Sequence, residues 1–336
     1  LTAVNFSGDL SLGSVNAPAV QNVVLNLTTG GDILISSAKN SAVNTPQNPV
    51  TLAGKTVTIK GTDETTEASP ANVSTVTAPK LNVTAEDGVT ITGSSDYLPL
   101  IADDSNNECA VTLNAGGDVK IVNKGGMAVY GPLTVESAHN VTIGGGGESL
   151  LYSANGVHRI NASRTVKMES SGIVCSGTDA NGLTITGVET VDIAGESTSA
   201  PVVTGMTLRG CGTASVTRLV GSEAPAPIAD NINSDIPVLL YNGPNDDEPR
   251  LLWKNDTYQK DYAVGGEPME PDAQKAVYYE ARNGYVMFSR LSNSDPKNEA
   301  ASAILFNAES KYEGIVGNLT GIEVIGENSL SEIQAL

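Results

Sequence analysis

The chain has 336 residues, 40% apolar and 17% charged, which is enough to bury a core and too little charge for a disordered chain. Acidic side chains number 38 against 19 basic, and the resulting net charge of −19 argues against a nucleic-acid partner. Three cysteines and two histidines exclude a disulfide framework and a histidine-rich metal site, and no apolar run approaches the ~20 residues of a membrane helix.

One eleven-residue frame recurs in chain order: apolar–x–apolar–x–small–x–x–turn–apolar–x–apolar. Copies begin at residues 2, 25, 50, 81, 111, 133, 158, 183 and 206, the third being one residue shorter. The clearest are Leu81-Asn-Val-Thr-Ala-Glu-Asp-Gly-Val-Thr-Ile91 and Val111-Thr-Leu-Asn-Ala-Gly-Gly-Asp-Val-Lys-Ile121. Position three is apolar throughout (Val4, Leu27, Leu52, Val83, Leu113, Val135, Ile160, Ile185, Leu208), and position eleven is as uniform, from Leu12 to Val216.

Apolar residues two apart mark strands with one buried face. Two such strands per copy cannot close a core alone; they bury their faces by stacking on the next copy. The remainder of each copy supplies a third short strand, as in Met127–Tyr130, Ser149–Tyr152 and Gly172–Cys175. Three strands per coil predict an all-β, right-handed single-stranded parallel β-helix. About nine regular rungs at ~4.8 Å each give a rod of roughly 40 Å.

Composition shifts near Gly221, where Ala224-Pro-Ala-Pro227 stands, and ten of the aromatic residues follow that point. Residues 1–221 are read as the regular rungs. Residues 222–336 are read as irregular, aromatic-rich C-terminal rungs and a cap, continuous with the first part as one domain. The frame recurs at Val277–Met287, with Val238–Tyr241 and Ile304–Phe306 as degraded copies. A separate small β-domain is the alternative.

Two copies carry acidic inserts after their second strand, Gly61–Asn72 and Ser94–Glu108. Stacking would set them side by side, so Asp63, Glu64, Asp96, Asp103 and Asp104 are candidate Ca²⁺ ligands, since hard cations take oxygen donors. Without EF-hand spacing, two solvated acidic loops remain the alternative. Outward position ten carries Lys120 and Lys167 two rungs apart with Thr142 between, and Asp192 one rung beyond Lys167, where it can pair with it. A lysine there could abstract a proton next to a carboxylate, as a lyase requires. Arg159 belongs to a different sheet and does not join them. His158 replaces the Leu of neighbouring copies and is expected to be structural; His139 falls in a bend. Cys109, Cys175 and Cys211 share no frame position and are expected to be buried small hydrophobes, Cys211 being the one with a chance of exposure. Trp253, Tyr258 and Tyr262 are candidate ligand-binding aromatics, because sugars stack on such rings.

With this frame of strand, small corner and Asn/Asp/Gly turn, the chain resembles bacterial secreted right-handed β-helix proteins of the pectin-lyase-like superfamily. The resemblance covers residues 2–216 well and 238–325 weakly. That superfamily contains lyases, glycoside hydrolases, adhesins and non-catalytic glycan binders, so the fold alone does not choose among them. The Gly-His-Gly and Arg-x-Lys patterns of its enzymes are missing. The expected function is a non-catalytic, secreted or cell-surface binding protein, adhesin-like, that recognises a polysaccharide or host glycan. Alternatives are a Ca²⁺-dependent lyase or glycoside hydrolase acting on an acidic glycan, and a structural stalk.

Overall fold

The computed structural model describes residues 2–62, 73–95, 97–104, 107–176, 182–220, 228–234, 236 and 238–243, with strands at 250–254, 259–262, 276–280, 285–290, 302–307 and 314–316. Before residue 7, after 243, and at 230, 231 and 242, the backbone alone is considered. None of the described residues is helical. All pairings among strands up to Asn242 are parallel, and each joins one coil to the next, making a β-solenoid.

The first face stacks the strands that open each copy. Leu25 is level with Val50, Val50 with Leu81, Leu81 with Val111, Val111 with Leu133, and His158 with Leu183. The second face stacks the closing strands, with Ile33, Val57, Val89, Val119, Val141, Val166 and Val191 in one inward file. The third face is narrower, in most coils a two-residue strand. Its inward file runs Val20, Val43, Val76, Ile101, Val129, Leu151, Cys175, Val203, Ala229, with its members at most 5% exposed. These files meet in one continuous apolar core. Each coil's apolar residues are shielded mainly by coils above and below, as the sequence period requires. Leu113, Val135 and Ile160, successive members of one file, are all at most 1% exposed.

Corners are small and turn-rich because neighbouring backbones meet there. Ala85, Ala115 and Ala162 are buried at frame position five, and a Cβ on Gly54 would reach 3.0 Å from the Gly31 carbonyl. At the next bend, aspartates satisfy amides of the following rung. Asp9 Oδ1 accepts from Asp32 N, Asp32 Oδ1 from Thr56 N, and Asp118 Oδ1 from Asn140 N. Buried Asn123 knits another corner, its Oδ1 accepting from Ser95 N and its Nδ2 donating to the Leu98 and Met127 carbonyls.

Two details of the frame are corrected. In the first copy Ala3, not Val4, is level with Leu27, because the strand carries a register shift before Phe6. Among the C-terminal strands, Ala276–Glu280 and Tyr285–Arg290 pair antiparallel, so the apparent frame at Val277–Met287 is a hairpin and not a coil. Val238–Asn242, by contrast, does stack in parallel on Thr213–Arg218.

Candidate functional site

The outward residues of the first face form one in-register file: Asn26, Thr51, Asn82, Thr112, Thr134, Arg159, Thr184, Thr207, Asn233. From Asn26 onward each is at least partly exposed. Alternation places these side chains opposite the buried ones, so a flat strip of hydroxyls and amides runs up the rod at ~4.8 Å intervals. Its only charge is Arg159. Such a strip donates and accepts hydrogen bonds along its length and carries no pair of carboxylates for acid–base work.

On the second face, Thr90, Lys120, Thr142, Lys167, Asp192 and Ser215 share one outward file, as the frame predicts. Lys167 does not reach Asp192. Its Nζ lies 3.6 Å from Glu169, two residues on in the same strand and on the same side, while Asp192 Oδ1 accepts from Ser215 Oγ at 3.4 Å. Gly144 lies between Val122 and Glu169 in the adjacent outward file. Its missing side chain opens a groove of about 380 Å³, edged by Thr142, Lys167, Glu169, Lys124 and Glu196. Two ammonium groups and two carboxylates there nearly cancel. Arg159 is on the first face, so the basic residues of a lyase arrangement are not assembled.

The described part of the second acidic insert divides between two corners. Residues 94–95 and 97–100 lie between the second face and the third, whereas Asp103, Asp104 and Glu108 follow the third strand Ile101–Ala102 on the way to the first. Asp63, Glu64 and Asp96 lie outside the described residues. Asp104 Oδ2 accepts from Asn107 Nδ2 at 2.6 Å, and Glu108 Oε1 accepts from the Ala154 amide. Asp103 Oδ1 is buried with no hydrogen-bond partner, and burial together with the Asp104 charge raises its carboxyl above the usual range. A second depression, lined by Glu86, Asp87, Asp118 and exposed His139, follows the first-to-second corner. Among the described residues no three His, Cys, Asp or Glu side chains are placed to hold a metal ion.

His158 is fully buried between its Leu neighbours, and its Nδ1 accepts from the Leu133 amide at 3.4 Å. Burial lowers its pKa to about 4, with Glu108 pulling the other way. It is a core histidine, out of reach of any solvent-borne substrate. None of the three cysteines forms a disulfide and all are buried, as the sequence suggests, Cys211 included. In Cys109 and Cys175 burial pushes the thiol up to about 12, which leaves no thiolate for chemistry.

Trp253 and Tyr262 are on paired antiparallel strands, and Tyr258 is not among the described residues. The aromatics that stand out are elsewhere. Tyr130 and Tyr152, the outward ends of successive third-face strands, stack with centroids 5.6 Å apart and planes 6° from parallel, and Tyr152 is 38% exposed. Sequence reasoning passed over them as mere strand markers. The available signal was a Tyr in the same outward position of two consecutive copies. No helix among the described residues is long and apolar enough to cross a membrane. Compared with known proteins, the chain matches no family model, and no curated protein or solved structure is significantly similar to it.

Proposed function

We propose that this chain is a non-catalytic binding protein of the cell exterior, adhesin-like, that holds an uncharged polysaccharide or host glycan along its first face. Kinship with the pectin-lyase-like β-helix proteins belongs to the same proposal and is supported by the three-faced parallel stack with its short third strand. One observation carries the reading: the outward file from Asn26 to Asn233 stays in register and almost wholly neutral in a chain of net charge −19. A polymer with hydroxyls at regular intervals can exchange water for protein hydrogen bonds along such a strip, while a phosphate-rich or strongly acidic ligand gains nothing from it.

A glycan and polysaccharide array probed with the full chain tests this. Binding to one or more neutral polymers is expected, with at least tenfold weaker binding when Thr112 and Thr134 are both replaced by Glu and the thermal melt is unchanged. Failure to bind any glycan, or unchanged binding by the double variant, overturns the proposal.

A lyase is the second reading, favoured by Lys120 and Lys167 sharing one file beside the Gly144 groove. Incubating polyuronates with the protein, with and without added Ca²⁺, and following the ultraviolet absorbance of an unsaturated product tests it. Product formation that is lost in Lys167→Met would establish the enzyme and displace the first reading.

A further inference from the structure

The geometry points to a pyranose-stacking site on the third face, formed by the exposed part of the Tyr152 ring with the hydroxyls of Ser176 and Thr204 beyond it. The inference rests on the glycan reading and adds to it a second face, a named platform and a ligand unit.

Outward residues of the third face run Thr77, Ala102, Tyr130, Tyr152, Ser176, Thr204. Two long aromatic side chains are thus bracketed by short ones. Because the rings are nearly parallel and one rung apart, Tyr130 covers one face of Tyr152. The other face looks up the rod toward Ser176, which is exposed, and Thr204, which is half-buried. A Tyr ring extends several ångströms further from the backbone than a Ser hydroxyl. The outer part of the Tyr152 face therefore overhangs short side chains, in keeping with its 38% exposure.

Such a shelf selects its ligand by chemistry. The ring face is the negative end of an aromatic quadrupole and attracts the weakly positive C–H groups on one side of a pyranose. Ser176 and Thr204, spaced by about 4.8 Å along the stack, can hydrogen-bond the hydroxyls at that ring's edge. An apolar partner would find polar neighbours where it needs apolar ones. Stacking on Tyr130 also holds the Tyr152 ring in place, so little rotamer freedom remains to be lost on binding.

The test uses saturation-transfer NMR on the full chain with methyl β-glucopyranoside, methyl β-galactopyranoside and methyl α-mannopyranoside as probes. At least one should receive saturation on the C–H protons of a single ring side. In Tyr152→Ala the affinity should fall about three- to tenfold, the range of one aromatic contact, whereas Tyr152→Phe should retain it. Leu34→Thr, at an exposed second-face position outside both proposed sites, should bind the monosaccharide unchanged. Both Tyr152 variants are checked by thermal melt, and the phenylalanine form controls for loss of fold. Equal saturation in Tyr152→Ala, or no saturation of any of the three probes by the parent protein, overturns the inference. The polymer array judges the first-face strip independently.

Discussion

Replacing His158 with Leu should remove one defined source of acid sensitivity from the solenoid. His158 occupies an inward position level with Leu183 and adjacent to Leu133, and it is fully buried. Its Nε2 has no partner, and its pKa is lowered from 6.5 to about 4 by burial. The folded chain therefore keeps the ring neutral at pH 5, where the unfolded chain has it protonated. Between about 6.5 and about 4 the unfolded state binds more protons, so stability falls as pH falls through that window. At ~1.4 kcal/mol per pH unit, the loss sums to about 3 kcal/mol by pH 4. Glu108 is the charged group that acts on the ring, and it attracts the proton. Asp103 has the opposite sign, since its raised carboxyl favours the folded state as pH drops toward its ordinary range. It is present in both parent and variant, so it cancels in the difference.

At neutral pH the substitution should cost little. Leu removes the orphaned Nε2 but leaves the Leu133 amide without its acceptor, and these effects offset to within about 1 kcal/mol. Guanidinium unfolding of both proteins at pH 7.5, 6.5, 5.5 and 4.5 reads the result. The variant's advantage should be near zero at pH 7.5 and grow steadily below 6.5. Parallel stability curves would refute the reasoning, for they would mean that His158 takes up its proton as easily in the fold as out of it.

Three further outcomes follow from the stack. Leu113→Ala should cost about 2–5 kcal/mol, because a fully buried file member leaves a cavity that rigid neighbouring rungs cannot fill, while outward Thr112→Ala should change stability by less than ~0.5 kcal/mol. Gly131 has φ +129°, and a Cβ there would come within 2.3 Å of the Cys109 carbonyl oxygen. Gly131→Ala should therefore lose more than ~1 kcal/mol in the same denaturation assay. Finally, a thiol reagent at pH 8 should label none of the three cysteines in the native protein and all of them in guanidinium, as counted by mass spectrometry.

The first two faces were legible because every coil spends three or more residues on each, and period-two alternation needs that length to register. In most coils the third face commits two residues, as in Val43–Asn44 and Val76–Thr77, too few for a pattern within one copy. It becomes visible only when copies are stacked. The position-ten file was correct residue for residue from Lys120 to Asp192, but its ion pairing was not. Register is set by the backbone, whereas the Lys167 rotamer chooses between Glu169 and Asp192, a choice worth under ~1 kcal/mol on an exposed strand. The hairpin at 276–290 imitates a coil because both need apolar alternation around a turn. Asn283-Gly284 is the sequence signal that favours a hairpin.

A solenoid also sorts structural from functional residues by its own logic. Inward positions and corners are fixed by stacking, so outward positions are the ones free to vary at little cost. Most of them carry Thr, Ser or Asn, small polar residues that leave the outward faces flat and largely neutral. Several bulky or charged exceptions fall in three adjacent rungs, Lys120, Tyr130, Tyr152, Arg159, Lys167 and Glu169, while others lie elsewhere, among them Leu34, Lys60, Lys80, Asp192, Arg209, Leu239 and Tyr241. Stability does not ask for this concentration, because each of these sites is tolerated as Thr or Ser elsewhere in its own file or face. Three faces depart from the pattern at the same height of the rod, and the Gly144 groove opens there too. A ligand that touches the protein where the outward pattern breaks will therefore meet it between residues 120 and 169, at mid-stack.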